Sequence, residues 1–193
     1  ASLAARGVKL SHLLTQDQAS TGTALILVDS HGSNTIVVNS GANGLLSCQD
    51  LDAHKELIQK AGLLVMQLEI PLEVVEYGAK LAWEAKVPVL LDPAPPRALN
   101  PSLLTHGSEG LLLATEKEEV FIPGHEVPVV DTTGAGDCFA GAFAARILAG
   151  DEPTAAASYG NLAAALSVTR PGAATAPSPQ EVWDFAQKRG VDL

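Results

Sequence analysis

The sequence predicts an α/β fold: a mostly parallel sheet flanked by helices, with a small β hairpin attached. Three observations carry this. Leu63-Leu64-Val65-Met66-Gln67-Leu68 and Pro88-Val89-Leu90-Leu91-Asp92 are short, largely apolar runs, as strands of a parallel sheet covered on both faces are. Between them, Leu72 to Lys86 reads as a helix, with apolar Leu72, Val75, Ala79 and Ala82 on one side. Strand, helix and strand with short connections make a βαβ unit, which pairs its strands in parallel. A glycine-containing turn at Asp131 to Asp137 then leads into an apolar helix of small residues.

Composition sets the bounds. A chain of 193 residues is the size of one domain. Hydrophobic residues make up 47% and charged residues 18%, enough to bury a core. The net charge of −10 argues against nucleic acid or an anionic membrane as a general partner. It leaves ATP open, because nucleotide sites work through local backbone dipoles and Mg²⁺. Cys48 and Cys138 form no disulfide framework or zinc pattern, and an intracellular, reducing, cytoplasmic location follows most simply. No apolar run reaches the ~18 residues of a membrane span.

In chain order, Ala1 to Gly7 reads as a chain entered in mid-helix rather than as a signal peptide. Residues 22–28 and 35–39 are strands joined by the turn Asp29-Ser30-His31-Gly32-Ser33-Asn34. Ser47-Cys48-Gln49-Asp50 starts a helix running to about Lys60. The βαβ unit follows, and Pro93, Pro95 and Pro96 end its second strand. Asn100 to Leu104 opens a helix that never develops, and a glycine turn and the strand Leu111 to Ala114 come at once. A parallel sheet needs another strand here, so residues are expected to be missing between Leu104 and Thr105. Val120-Phe121-Ile122 is an edge strand and Val127 to Val130 another strand. The helix after Asp137 runs to about Leu148 and is broken by Gly150-Asp151-Glu152-Pro153. Thr154 caps an Ala-rich helix ending near Thr169. Ser178, Pro179 and Glu181 form an N-cap, N1 proline and capping box for the last helix.

Asp131-Thr132-Thr133-Gly134-Ala135-Gly136-Asp137 carries the chemistry. Its glycines let the backbone turn tightly and bring N–H groups close to a ligand. The helix that follows points its positive dipole end at the same place. Together these make an anion site, and phosphate is the usual anion. A carboxylate at its mouth would repel phosphate. Asp137 makes sense there as a base that takes the proton of a hydroxyl attacking phosphorus. Judged by its glycines alone, the turn is equally an ordinary helix start, with Asp137 matched to the dipole.

The whole string, followed by Cys138-Phe139-Ala140-Gly141-Ala142-Phe143-Ala144-Ala145, closely resembles the C-terminal signature of the ribokinase, or PfkB, family of sugar kinases. The resemblance extends from the hairpin to the last helix. It implies a three-layer α/β/α architecture with a β lid at about residues 20–43, where Gly22 and Ser40-Gly41-Ala42-Asn43 match. It also implies ATP-dependent phosphorylation of the 5-hydroxyl of D-ribose, with Mg²⁺ on the phosphates and a homodimer through the lid. Asp137 becomes the general base and a sugar contact, and the N–H groups of Gly134, Ala135 and Gly136 stabilise the γ-phosphate. Thr105-His106-Gly107-Ser108-Glu109-Gly110 matches the Gly-Ser-x-Gly segment on the nucleotide, which Gly136, Asp137 and Asn161 also meet, Asn161 near the adenine. Glu69, after Met66-Gln67-Leu68, matches a ribose-binding glutamate. Asp131, Thr133, Ser167, Arg170, Gly172 and Ala176 fall at a K⁺ site that orders the loop.

Simpler readings stand beside these. Residues 105–110 alone are a common turn, Glu69 alone starts a helix in solvent, and the 170–175 loop alone ends one. The five histidines make no ligand spacing, and Cys138 reads as a packed small residue where the family often has Ser or Thr. Ala176 stands where Ser is frequent. The N-terminal Gly-Gly sugar motif is absent, as is the Asn-x-x-Glu segment that places Mg²⁺, expected at Leu104/Thr105. A chain lacking both is expected to be a poor kinase, and one that carries them an active one. Other sugars or nucleosides, such as adenosine, fructose or 2-keto-3-deoxygluconate, are alternative substrates. Gln67-Leu68-Glu69, Asp92-Pro93-Ala94-Pro95 and Gly41-Ala42-Asn43 favour ribose. Asp137 argues against a non-catalytic nucleotide- or sugar-binding relative.

Overall fold

The computed structural model describes residues 2–28, 34–92, 103–105, 110–114 and 119–191. They fall into two compact units, residues 1–61 with 68–87 and residues 62–67 with 88–193.

The first unit begins with α1 (Ser2–Ala5) and an antiparallel hairpin of β1 (Thr23–Val28) and β2 (Asn34–Asn39). Leu25 sits opposite Val37 and Ile26 opposite Ile36. The base of the hairpin is closed by Ala42 N–H, which donates to the Ser20 carbonyl at 2.8 Å. Gly22 permits the approach, since a Cβ there would lie 2.9 Å from the Ser40 carbonyl oxygen.

Ser47 caps α2 (Cys48–Asp52) in a full capping box with Asp50. The expected helix to Lys60 is interrupted, and α3 (Lys55–Gln59) starts anew after His54. The reason is local competition for one carbonyl. His54 N–H donates to Leu51 O at 3.0 Å, while its Nδ1 lies 2.8 Å from Asp50 O, the acceptor a continuing helix would use. The predicted α4 is present (Leu72–Glu84), but its buried side is Val74, Val75, Gly78, Leu81 and Ala82. Leu72 and Ala79 lie at the margin. The period was legible, whereas the phase is set by α2 and α3, which pack on α4. Tyr77 Oη donates to Asp52 across that contact at 2.5 Å.

In the second unit, β3 (Leu64–Gln67) and β4 (Val89–Asp92) pair in parallel, with Gln67 opposite Asp92. Val65 is 48% exposed, so β3 is not covered on both faces as its apolar run suggested. Among the described residues, parallel pairing is confined to this pair. Leu103 and Leu104 do not begin a helix. They belong to β5 (Leu103–Thr105), which pairs antiparallel with β6 (Gly110–Ala114), and β6 pairs with β7 (Glu119–Pro123). The strand expected at Val127 to Val130 is irregular backbone. The N–H groups of Val130 and Asp131 both converge on the Val168 carbonyl, at 2.8 and 3.1 Å. One helix-terminal carbonyl, rather than a strand edge, takes these donors.

Helix α5 (Ala135–Ala149) ends at left-handed Gly150. Helix α6 (Pro153–Ser167) starts two residues earlier than expected, with Glu152 at the N-cap and Pro153 at N1, so Thr154 is helical and not the cap. Two clusters hold these helices. Leu90, Leu111 and Ile122 from the strands pack with Phe139 and Phe143 of α5 and Ala156 and Ala157 of α6. Tyr159, Leu162 and Ala163 of α6 pack with Val182 and Ala186 of α7 (Pro179–Arg189).

The predicted capping box of α7 forms as read. Ser178 N–H and the Arg170 guanidinium both donate to Glu181, at 2.7 and 2.5 Å. The Ser178 backbone bond first, then Arg170, hold the Glu181 carboxyl down at about 2, against an ordinary 4.5. A depressed carboxylate stabilises fully above its unfolded value, and that contribution fades as pH falls toward the folded one. Acid unfolding followed by circular dichroism between pH 5 and pH 2 is therefore expected to be less steep in Glu181→Gln than in the parent. Parallel curves would show that the contact adds nothing.

Candidate active site

The site is built at the start of α5. Gly134 is its N-cap at φ +79°, the left-handed region that only glycine enters without strain. Gly136 is already helical, so only one of the two glycines is needed for the turn. The carboxylate of Asp131 fixes the loop, accepting from Thr133 N–H and from Gly172 N–H, each at 2.9 Å. These bonds hold its carboxyl below the usual range, with Thr133 the larger cause. The 131–134 turn is thereby tied to the 170–173 loop that follows α6.

Gly136 and Asp137 are exposed at the first turn of α5. Ala135 N–H makes a long 3.3 Å bond back to Thr132 O, which a charged phosphate oxygen would outcompete. Asp137 Oδ1 accepts from Gln67 Nε2 at 3.1 Å. Asp92 ends β4 beside this turn, its Oδ2 3.8 Å from where a Cβ on Gly136 would stand. A pocket of about 650 Å³ opens beside Ala135 and Gly136. Its walls are mostly apolar, including Leu111, Val127, Phe139, Ala164 and Val168, with Asn161 and His125 among the polar groups. A flat heterocycle with a phosphate tail suits that shape: apolar walls for the ring and helix N–H groups for the tail. Asn161 is buried, and its amide nitrogen donates to Pro123 O at 2.7 Å.

Of the residues singled out in the sequence, Asp131, Thr133, Gly134, Ala135, Gly136, Asp137, Asn161 and Gly172 are gathered around the α5 N-terminus and this pocket. Ser167 O accepts from Thr175 Oγ1 at 3.0 Å, and Arg170 is held by Glu181. Ala176 is exposed. Glu69 is exposed and belongs to the first unit. Thr105 and Gly110 are in β5 and β6, while His106, Gly107, Ser108 and Glu109 lie outside the described residues, as do Pro93, Ala94 and Pro95. Burial pushes the Cys138 thiol up, consistent with packing rather than nucleophilic use. Gln67 and Asp92 enter the sequence reading only inside longer motifs, and His125 only as one of the scattered histidines. Asp92 and Gln67 share a register position at the strand ends, which a βαβ alignment makes legible. His125 was passed over as scattered, yet it lines the pocket, and burial followed by Arg189 pushes its imidazole down toward the neutral form.

The family model of the pfkB family carbohydrate kinases matches residues 1–103 and 97–181. The chain belongs to this family. A ribokinase from Haemophilus influenzae is 31% identical over 95% of this chain and 75% of its own length. The crystal structure of a ribokinase from Thermotoga maritima superposes with a TM-score of 0.76 at 30% identity, over 88% of this chain and 70% of that one. A ribokinase from Arabidopsis thaliana, solved with ribose and ATP, superposes with a TM-score of 0.73 at 25% identity, over 87% of this chain and 70% of that one. The ribokinase-like α/β fold is thus the fold of this chain. As a pfkB-family carbohydrate kinase it is a phosphotransferase with an alcohol acceptor. No helix among the described residues is long and apolar enough to cross a membrane.

Proposed function

We propose that the protein transfers the γ-phosphoryl group of ATP to the 5-hydroxyl of D-ribose, giving ribose 5-phosphate and ADP. The observation that carries this is an exposed carboxylate, Asp137, on the first turn of a helix whose glycine N-cap opens onto an apolar pocket. Asp137 takes the proton of the attacking hydroxyl. The N–H groups of Gly134, Ala135 and Gly136 hold charge on the transferring phosphoryl group in its transition state. Adenine fills the apolar pocket near Asn161, with Thr105 to Gly110 over the nucleotide and Glu69 on the sugar. The ribokinases among its relatives support ribose over other sugars or nucleosides. The test is a coupled assay with ATP, Mg²⁺ and K⁺ against ribose, fructose, adenosine and 2-keto-3-deoxygluconate. Ribose is expected to give the highest kcat/KM, and a different preferred acceptor would overturn the choice.

Two ions belong to this reading. Mg²⁺ fits as the nucleotide's companion, neutralising phosphate charge. K⁺ fits the all-oxygen donor set of the two tied loops: the Asp131 carboxylate with groups of Thr133, Ser167, Arg170, Gly172 and Ala176. Arg170, engaged by Glu181, would offer only its carbonyl.

The hairpin acts as a lid over the sugar and pairs with the lid of a second copy. Both of its faces are exposed, with Leu25, Ile26, Leu27, Ile36, Val37 and Val38 all uncovered. A bare two-stranded hairpin of this kind is marginal alone. Val37→Asp, a substitution at an exposed position, is expected to turn a dimer into a monomer in analytical ultracentrifugation. An unchanged sedimentation coefficient would remove the lid from the interface. A cytoplasmic location suits the ATP requirement and the two free cysteines. The missing segment read at Leu104/Thr105 is supported by the two-part family match, which divides at residues 97–103. Continuous peptide coverage across Leu104-Thr105 in the purified protein would refute it.

A further inference from the structure

Gln67 and Asp137 are seventy residues apart in sequence, and the fold brings them to 3.1 Å. Gln67 is the last residue of β3, and Asp137 is in the first turn of α5. A carboxylate only accepts hydrogen bonds, so the amide must present its NH₂ to Oδ1. We infer that Gln67 is a positioning residue for the base: it holds Oδ1 of Asp137 and so turns Oδ2 toward the hydroxyl to be deprotonated. The inference rests on Asp137 being that base.

Three physical points carry it. An exposed aspartate at a helix start is free to sample rotamers, whereas a general base must stay within about 3 Å of its proton. A tether to one oxygen restricts that freedom without blocking the other. The tether is also neutral. A lysine or arginine in its place would stabilise the ionised carboxylate by one to three pKa units and weaken it as a base. An amide does not titrate, so the tether persists across the working pH range. Finally, Gln67 faces Asp92 in strand register, and Asp92 stands beside Gly136 at the same turn. An acid at position 67 would crowd three carboxylates against an anion site, and an apolar residue would leave Asp137 unheld.

The test uses Gln67→Leu and Gln67→Glu, both near in volume to glutamine, with melting temperature as a check of folding. In Gln67→Leu, kcat is expected to fall about tenfold while KM for ATP and for ribose stays within about twofold. In Gln67→Glu, whose carboxylate cannot donate to Asp137, kcat is expected to fall at least as far, with both KM values again within about twofold. A purely structural role would lower the melting temperature and leave kcat of the folded fraction at the parent value. The Gln67 side-chain amide resonances give a readout that needs no turnover, and they are expected to shift in Asp137→Ala, which removes the accepting carboxylate. Unshifted Gln67 amide resonances in Asp137→Ala, or an unchanged kcat in Gln67→Leu, overturn the positioning role. Absence of sugar-dependent turnover in the parent protein would instead overturn the proposed activity, with the resonances still reporting on the contact.

Discussion

Asp137→Asn is expected to lower kcat by about a thousandfold while leaving ATP binding within a few-fold of the parent. Asparagine keeps the shape and still bonds Gln67, but it cannot accept the hydroxyl proton. The anion site is backbone, so it survives the change. Removing a negative charge beside the phosphates even favours nucleotide binding slightly. Steady-state kinetics with isothermal titration of a non-hydrolysable ATP analogue separates the two effects. Turnover within tenfold of the parent would remove Asp137 from the chemistry, and lost nucleotide affinity would make it a binding residue.

Gly134→Ala is expected to damage both the fold and the site. At φ +79° any side chain is strained, by about 1–2 kcal/mol. The added Cβ would also stand 2.5 Å from the Ala173 carbonyl oxygen, so the 131–134 and 170–173 loops must separate. Asp131 bridges those two loops through Thr133 and Gly172, and its bonds loosen with them. A total cost of about 2–3 kcal/mol corresponds to a melting temperature lower by about 4–12 °C. Nucleotide affinity falls as well, because the turn that aims the helix N–H groups has moved. An unchanged melting temperature would mean the loop has an easy alternative path.

Local chemistry explains which elements could be read from the sequence. The α7 cap needed only Ser178, Pro179 and Glu181, three residues within one turn, and it formed as read. The hairpin needed only two short apolar, β-branched runs a few residues apart. Where a distant group decides, reading failed. The α2–α3 break depends on which donor takes one carbonyl, and the buried phase of α4 depends on its packing neighbours. The 127–130 segment lost its strand because its N–H groups found Val168 rather than a strand edge. Leu103 and Leu104 were read as helical because three residues carry too little pattern, yet β6 offered them a partner.

The same division runs through the site. The sequence by itself determined the glycine turn, the carboxylate at the helix start and the family, because Asp131 to Asp137 is contiguous and its turn is mostly backbone. Only the tertiary structure decided what surrounds that carboxylate: Gln67 on its oxygen, Asp92 beside the turn, His125 in the pocket wall, and Asp131 spent on joining two loops. Those residues come from strand ends and loops far apart in the chain. No spacing encodes their meeting, and it exists only once β3, β4 and α5 have packed.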